Sequence, residues 1–178
     1  ERGKNVGLVD IVYPNNDCGL SNDVPITVKT FNNGTVIQHN IPIRFSNDNG
    51  ATWQMDTIPF INSHDTILFT SNVTFDFSNL GLHNIAAEII LNNDSIISDN
   101  YVAKTFYNSL YVNSYPYTDD FETATNIWIN DGNWSYNPNG SLINAAHSGS
   151  RALFIPGNLD TVSMLISPCF DLSQIPLP

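Results

Sequence analysis

Three acidic side chains stand close together about two thirds of the way along the chain: Asp119, Asp120 and Glu122. In an extended strand Asp120 and Glu122 point to the same side, so both carboxylates can reach one cation. A hard ion such as Ca²⁺ takes about six to eight oxygen ligands, partly from the backbone carbonyls of acidic, asparagine-rich loops. The pattern predicts a structural calcium site at Glu122 and Asp120. The alternative is a pair of solvated acids at the end of a strand.

Two aromatic residues follow this acidic group, Trp134 and Tyr136. Their rings offer flat apolar area with a polar tip, which suits stacking on the face of a sugar. They are therefore candidate ligand-binding residues. The competing interpretation is packing in a β-sheet core, which is also what we expect of Trp53.

The chain carries no spacing typical of catalysis or of a tight metal site. The four histidines are scattered, and neither a His-Glu-x-x-His pair, a Gly-x-Ser-x-Gly elbow nor a phosphate-binding loop occurs. His147 and Ser148 are neighbours on one predicted loop with no orienting acid, so they rarely form a nucleophile–base pair. We predict a protein that is not an enzyme.

Composition and charge narrow the class of protein further. The 178 residues carry 17 acidic and 6 basic side chains, a formal net charge of −11. A negative field repels phosphate backbones and anionic lipid surfaces, which argues against nucleic-acid binding. No stretch approaches the ~20 apolar residues of a membrane span. The chain also opens with the polar Glu1-Arg2-Gly3-Lys4, so we expect an excised or mature segment of a larger secreted protein, with its targeting signals elsewhere.

The first hundred residues read as seven short strands separated by turn signals, the count of an immunoglobulin-like sandwich. Val24, Ile26 and Val28 alternate with polar residues, and Asn49-Gly50 marks a hairpin because a type I′ turn needs positive φ at both positions. The predicted strands are Val6–Tyr13, Val24–Phe31, Ile41–Ser46, the return through Trp53 and Met55, Thr66–Phe77, His83–Leu91 and Tyr101–Tyr107.

A polar, tyrosine-rich connector then leads to a second module with a different residue pattern. We predict an all-β chain with an immunoglobulin-like sandwich at 1–107, a linker at 108–117 and a partial jelly roll at 118–178. Further strands are expected at Trp134–Tyr136, Arg151–Ile155 and Val162–Ser167. These are too few for an eight-stranded jelly roll. The exposed edges of such a half-domain predict association with a neighbouring chain or with the first sandwich.

The two cysteines, Cys18 and Cys169, fall in different predicted modules. Two cysteines make neither a disulfide framework nor a zinc site by themselves. Two alternatives stay open: a disulfide between the modules, or two separate buried thiols.

Ordered motifs give a resemblance for each module. Val9-Asp10-Ile11-Val12-Tyr13-Pro14, Cys18-Gly19-Leu20 and Ile26 to Gly34 resemble the immunoglobulin-like, cell-adhesion-related repeats of large bacterial surface proteins. Such repeats act as spacers or interaction modules. Asp120-Phe121-Glu122, Trp134, Ala146 to Leu153 and Leu165 to Leu172 resemble the N-terminal half of the MAM and cleaved-adhesin jelly rolls. That resemblance implies a structural calcium at Glu122 and, less directly, at Asp120.

Taken together, the sequence predicts an extracellular, cell-surface adhesion segment that binds carbohydrate or protein without catalysing a reaction. One alternative is an accessory region of a secreted peptidase or glycosidase, in which the sandwich spaces or docks the catalytic domain. Another is a structural spacer with no ligand.

Overall fold

The computed structural model describes residues 3–122, 127–130, 132–136, 151–155, 162–173 and 175. The chain divides into two compact units, Glu1–Asn108 and Ser109–Pro178. Within the described ranges no helix has the length and apolar character that a membrane span requires. The predicted all-β class is confirmed, because strands and one short 3-10 helix, Ile97–Asp99, make up the regular structure of these ranges.

Eight strands build the first unit, and their alternating sequences explain them. Inward-facing residues are apolar and their neighbours are polar, so each strand buries one side. The strands are β1 (Val6–Tyr13), β2 (Asp17–Cys18), β3 (Val24–Asn32), β4 (Gln38–Ser46), β5 (Gln54–Ile61), β6 (Asp65–Phe75), β7 (Gly81–Ile89) and β8 (Tyr101–Ser109).

These strands form two sheets that enclose one core. The three-stranded sheet has the order β1-β3-β6, and the five-stranded sheet has the order β2-β8-β7-β4-β5. Pairing is antiparallel along β1-β3-β6 and along β8-β7-β4-β5. The core draws on both sheets, and its largest fully buried side chains include Phe45, Phe77, Phe106, Ile11 and Ile26.

Phe77, Phe106 and His83 form an aromatic group in and beside the core. Phe77, predicted as the last residue of the strand, instead follows β6 and has no exposed surface. Its ring packs edge-on against Phe106 with centroids 5.0 Å apart and against His83 at 5.3 Å. Edge-to-face pairs of this kind contribute about 0.5–1.5 kcal/mol beyond area burial. His83 therefore serves packing.

Two buried asparagines hold the chain where it leaves the sheets. The Asn108 side chain accepts a hydrogen bond from Leu20 N (2.9 Å) and donates one to the carbonyl oxygen of Phe77 (2.8 Å). Asn32 donates to the carbonyl oxygen of Ile61 (3.0 Å) and accepts from Gly34 N (2.9 Å). Buried backbone groups need hydrogen-bond partners. These two amides supply them to backbone groups that the hydrogen bonds between strands do not reach.

The loop between β4 and β5 contains the predicted Asn49-Gly50 turn. It is longer than the two-residue hairpin turn that this dipeptide predicts. Asn49 and Gly50 have positive φ values of 58° and 86°, as their types indicated. Pro42 predicts an edge position for this hairpin, because proline cannot donate a hydrogen bond to a neighbouring strand. β5 is the edge strand, whereas β4 pairs with both β5 and β7. Proline is tolerated because the β7 pairing of β4 begins at Ile43, one residue later.

The second unit is described in shorter pieces. Its strands are β9 (Tyr111–Val112), β10 (Ile129–Asn130), β11 (Ser135–Tyr136), β12 (Leu153–Phe154), β13 (Leu165–Ile166) and β14 (Cys169–Phe170). They form three pairs: β9 with β14 in parallel, β10 with β13 and β11 with β12 antiparallel. The segment 108–117, predicted as a linker, contains the end of β8 and all of β9.

Two substitutions on β7 test which side of the five-stranded sheet faces the core. Ile85 is 2% exposed and Leu82 is 55% exposed. We expect Ile85→Ala to lower the free energy of unfolding by about 2–5 kcal/mol, because it leaves a cavity. Leu82→Ala should change it by no more than about 0.5 kcal/mol. Urea unfolding followed by tryptophan fluorescence measures both, and equal losses would contradict the assigned face.

Candidate functional site

The acidic segment predicted to ligate calcium is a turn. Residues 119–122 form no strand, and Phe121 has a positive φ of 60°. Asp119 Oδ1 accepts a hydrogen bond from Phe121 N (2.9 Å), and Asp120 Oδ1 accepts one from Glu122 N (3.0 Å). Short acidic side chains that bond the backbone two residues ahead compete with extended structure. The strand geometry on which the prediction relied is therefore wrong.

The carboxylates of this turn also bind protein donors. Asp119 Oδ2 accepts from the indole nitrogen of Trp128 (2.7 Å), and Glu122 Oε1 accepts from Arg151 N (2.8 Å). Among the described residues, no group of three His, Cys, Asp or Glu side chains is placed to hold a metal ion. The visible role of Asp119 and Glu122 is to tie this turn to Trp128 and Arg151.

Of the predicted sugar-stacking pair, Trp134 is half-buried. Tyr136 lies on β11 and pairs with Leu153 of β12. The indole nitrogen of Trp134 is buried, with no hydrogen-bond partner in the part of the chain that the structure describes. A buried polar end leaves less of the indole for a ligand. The geometry of Trp134 favours the packing interpretation that the sequence left open.

Neither cysteine is a free thiol. Cys18 and Cys169 are both disulfide-bonded, which excludes the alternative of two separate buried thiols.

A shallow cleft lies on the outer face of the five-stranded sheet, and we call it the alanine cleft. It has a volume of about 190 Å³. The lining residues come from β7, β8 and the β4–β5 loop: Asn49, Asn84, Ile85, Ala86, Tyr101, Ala103, Lys104 and Thr105.

Strand register builds the floor and walls of the alanine cleft. Ala86 of β7 pairs with Ala103 of β8, and Asn84 pairs with Thr105. Because paired residues on antiparallel strands share a face, the alanines form a low floor between larger neighbours. Tyr101 stands at one end with half of its surface exposed.

The polar groups of the cleft are held in position. The Thr105 hydroxyl donates to Asn84 Oδ1 at 2.7 Å, which fixes the orientation of the amide. An amide offers a donor and an acceptor side by side, and the Thr105 hydroxyl, whose one hydrogen is donated to Asn84, can accept from a ligand. Asn49, on the β4–β5 loop, adds a second amide. The cleft can thus hydrogen-bond a ligand that carries several hydroxyl groups.

The charged side chains next to the cleft already have protein partners. Lys104 is the one charged lining residue, and its Nζ donates to the carbonyl oxygen of Ile11 (2.9 Å) and to Asn15 Oδ1 (2.6 Å). Glu88, which pairs with Tyr101 across the strands, forms an ion pair with Arg44. The alanine cleft therefore favours an uncharged ligand.

The loop that supplies Asn49 is stabilised by a carboxylate network. Asp48 accepts hydrogen bonds from the Thr52 backbone N (2.9 Å) and from the hydroxyls of Thr52 and Ser46. These bonds, the Thr52 hydroxyl first, lower the pKa of Asp48 to about 2. Beside the loop, Arg44 Nε donates to Glu88 (2.8 Å), while its guanidinium lies 4.3 Å from the Trp53 ring centroid. Trp53 thus packs against Arg44.

The residue pattern alone does not predict the alanine cleft. One signal was present, since Tyr101, Ala103, Thr105 and Tyr107 alternate with Val102, Lys104 and the buried Phe106. That alternation marks an outward face with small residues at its middle. The alternation does not say which strand lies next to β8, so it could not place Asn84 and Ala86 in the cleft.

Comparison with known proteins gives no relative for this chain: no protein-family model, no curated protein and no solved structure matches it. The resemblances to immunoglobulin-like repeats and to MAM-type jelly rolls therefore stay predictions. The site must be judged on its own geometry.

The substitution Thr52→Val tests the network that holds the β4–β5 loop. It removes the largest contribution to the low pKa of Asp48, so we expect that pKa to rise from about 2 towards the ordinary value of 3.8. A lowered folded-state pKa stabilises the fold above the unfolded value of 3.8, and that stabilisation is lost as the pH falls towards 2. Titration of the Asp48 carboxyl by NMR measures the change. An unaltered midpoint in Thr52→Val would contradict the assignment.

Proposed function

We propose that this chain is a non-catalytic binding segment of a larger secreted or surface protein and that it binds carbohydrate through the alanine cleft. The observation that carries the proposal is the open cleft with an exposed tyrosine, two amides and a hydroxyl along its walls, whose one charged lining residue, Lys104, is already hydrogen-bonded. The two disulfide-bonded cysteines support an oxidising compartment.

The chemistry of a sugar matches these groups. A pyranose ring has an apolar face of C–H groups and a rim of hydroxyls. Tyr101 offers a flat ring with a polar tip, which suits that apolar face. Asn84 and Asn49 can each donate to one hydroxyl and accept from another. The floor at Ala86 and Ala103 leaves room for the ring that stacks on Tyr101.

The size and charge of the cleft narrow the ligand class. Pockets that enclose drug-sized ligands measure about 300–1,000 Å³, so 190 Å³ suits a single sugar unit of a longer chain lying on the surface. The paired Arg44 and Glu88 and the engaged Lys104 leave little attraction for a charged sugar. The proposed ligand is therefore a neutral polysaccharide or glycan.

A comparison of two exposed tyrosines tests this function. Tyr101 is 53% exposed in the cleft, and Tyr111 of the second unit is 49% exposed elsewhere. We expect Tyr101→Ala to weaken binding to a neutral polysaccharide about fivefold to tenfold, the equivalent of one aromatic contact. Tyr111→Ala should bind as the unaltered chain does. Affinity electrophoresis through gels containing neutral glucans, mannans or galactans measures retardation.

Each outcome has a clear meaning. Retardation of the unaltered chain that Tyr101→Ala loses and Tyr111→Ala keeps would support the proposal. Equal retardation of the three proteins would place the binding site outside the alanine cleft. If no neutral polysaccharide retards the chain, carbohydrate binding is wrong and the chain acts as a spacer or binds protein.

A further inference from the structure

The outward face of β7 and β8 extends beyond the alanine cleft towards Leu82 and Tyr107. These two residues pair across the strands, next to the pair of Asn84 and Thr105 that lines the cleft. Side chains two residues apart on a strand point to the same side of the sheet. Leu82 and Tyr107 therefore belong to the same outward face as the cleft.

Leu82 and Tyr107 form an apolar contact surface at this end of the face. Leu82 is 55% exposed and Tyr107 is partly exposed, whereas Phe106 and Asn108 on either side of Tyr107 are buried. The Tyr107 backbone nitrogen donates a hydrogen bond to Asn16 Oδ1 (3.1 Å), which holds this part of β8 in place. A tyrosine ring beside an exposed leucine offers a second place where the apolar face of a sugar can pack.

A fixed length of strand separates the two tyrosines of this face. Tyr101 and Tyr107 both lie on β8, six residues apart, and their outward direction follows from the same register with β7. A strand rises about 3.3 Å per residue, which puts their Cα atoms about 20 Å apart, the reach of about five sugars in an extended polysaccharide chain. One linear chain can therefore contact both rings.

The path along the two strands avoids the ion pair of the outer face. The outward side chains between the tyrosines are small or uncharged: Asn84, Ala86, Ala103 and Thr105. Across the strands, Tyr101 is followed by Glu88 and then by Arg44, which form an ion pair. A neutral chain that crosses the strands covers this pair, and removing an ion pair from water costs solvation energy. A chain that follows β7 and β8 leaves the pair in water.

We propose that the ligand is a linear, extended polysaccharide that runs along β7 and β8 from Tyr101 to the surface of Leu82 and Tyr107. This inference rests on the carbohydrate binding proposed above and adds the direction and the minimum length of the ligand. The alanine cleft holds one sugar at the Tyr101 end, and a sugar about four units further along packs on Leu82 and Tyr107. Because both contacts belong to one ligand, the second contact is intramolecular and strengthens the binding of long chains.

Calorimetric titration of the full chain with linear β-1,4-linked oligomers of glucose, mannose and galactose tests the length and direction of the ligand. Trisaccharides reach one of the two contact surfaces, and hexasaccharides reach both. We expect the hexasaccharide to bind about fivefold to tenfold more tightly than the trisaccharide, the equivalent of one aromatic contact. A longer chain also binds in more registers, so the test depends on which variants lose this gain.

Leu82→Ala and Met55→Ala are a matched pair of variants. Both side chains are 55% exposed, but Met55 pairs with Arg44 and so lies in the row that crosses the strands from Tyr101. We expect Leu82→Ala and Tyr107→Ala to lose most of the hexasaccharide gain, and Met55→Ala to keep it. Because Leu82→Ala changes an exposed side chain, it decides the test if Tyr107→Ala fails to fold.

The outcomes separate this inference from the proposed function. Loss of the hexasaccharide gain in Leu82→Ala but not in Met55→Ala supports a chain that follows β7 and β8. Equal binding of both lengths, loss of the gain in Met55→Ala, or its survival in Leu82→Ala and Tyr107→Ala overturns the inference. Carbohydrate binding at the cleft then still stands if Tyr101→Ala weakens trisaccharide binding. If no oligomer binds, the inference fails, and if no polysaccharide retards the chain either, carbohydrate binding fails with it.

Discussion

The pairing of β7 with β8 is the constraint on which the rest of the first unit depends. Burial of Ile85, Ala87 and Phe106 on the inner face fixes the register, because a slip of one residue would turn all of them towards solvent. The same register places Ala86 beside Ala103 on the outer face. Core packing thus determines the alanine cleft, although no core residue needs to contact a ligand there.

Side chains of β4 and of the β4–β5 loop hold the part of the alanine cleft that the β7–β8 pair does not form. Asp48 holds the β4–β5 loop through Thr52 and Ser46, and Arg44 lies between Trp53 and Glu88. These contacts order Asn49 and fix the charges beside the cleft before a ligand arrives. Groups positioned in advance lose less conformational entropy on binding, which matters most for a shallow site with few contacts.

The sequence predicts the strands of the first unit well and the candidate sites poorly, for physical reasons. Alternation at Val24, Ile26 and Val28 reports burial directly, so strand existence follows from residue types. The alanine cleft depends on which strands are neighbours, and alternation carries no information on that. At 119–122 the sequence predicts an extended strand. Instead, the Asp119 and Asp120 carboxylates accept hydrogen bonds from the backbone two residues ahead, which favours a turn.

The most direct test of carbohydrate binding at the alanine cleft is amide chemical-shift mapping by NMR with a neutral oligosaccharide. The account predicts the largest shifts at Asn84, Ala86, Ala103 and Thr105, with little change at Lys29, which faces outward from the three-stranded sheet. Large shifts around Lys29, or none in β7 and β8 at saturating oligosaccharide, would contradict it.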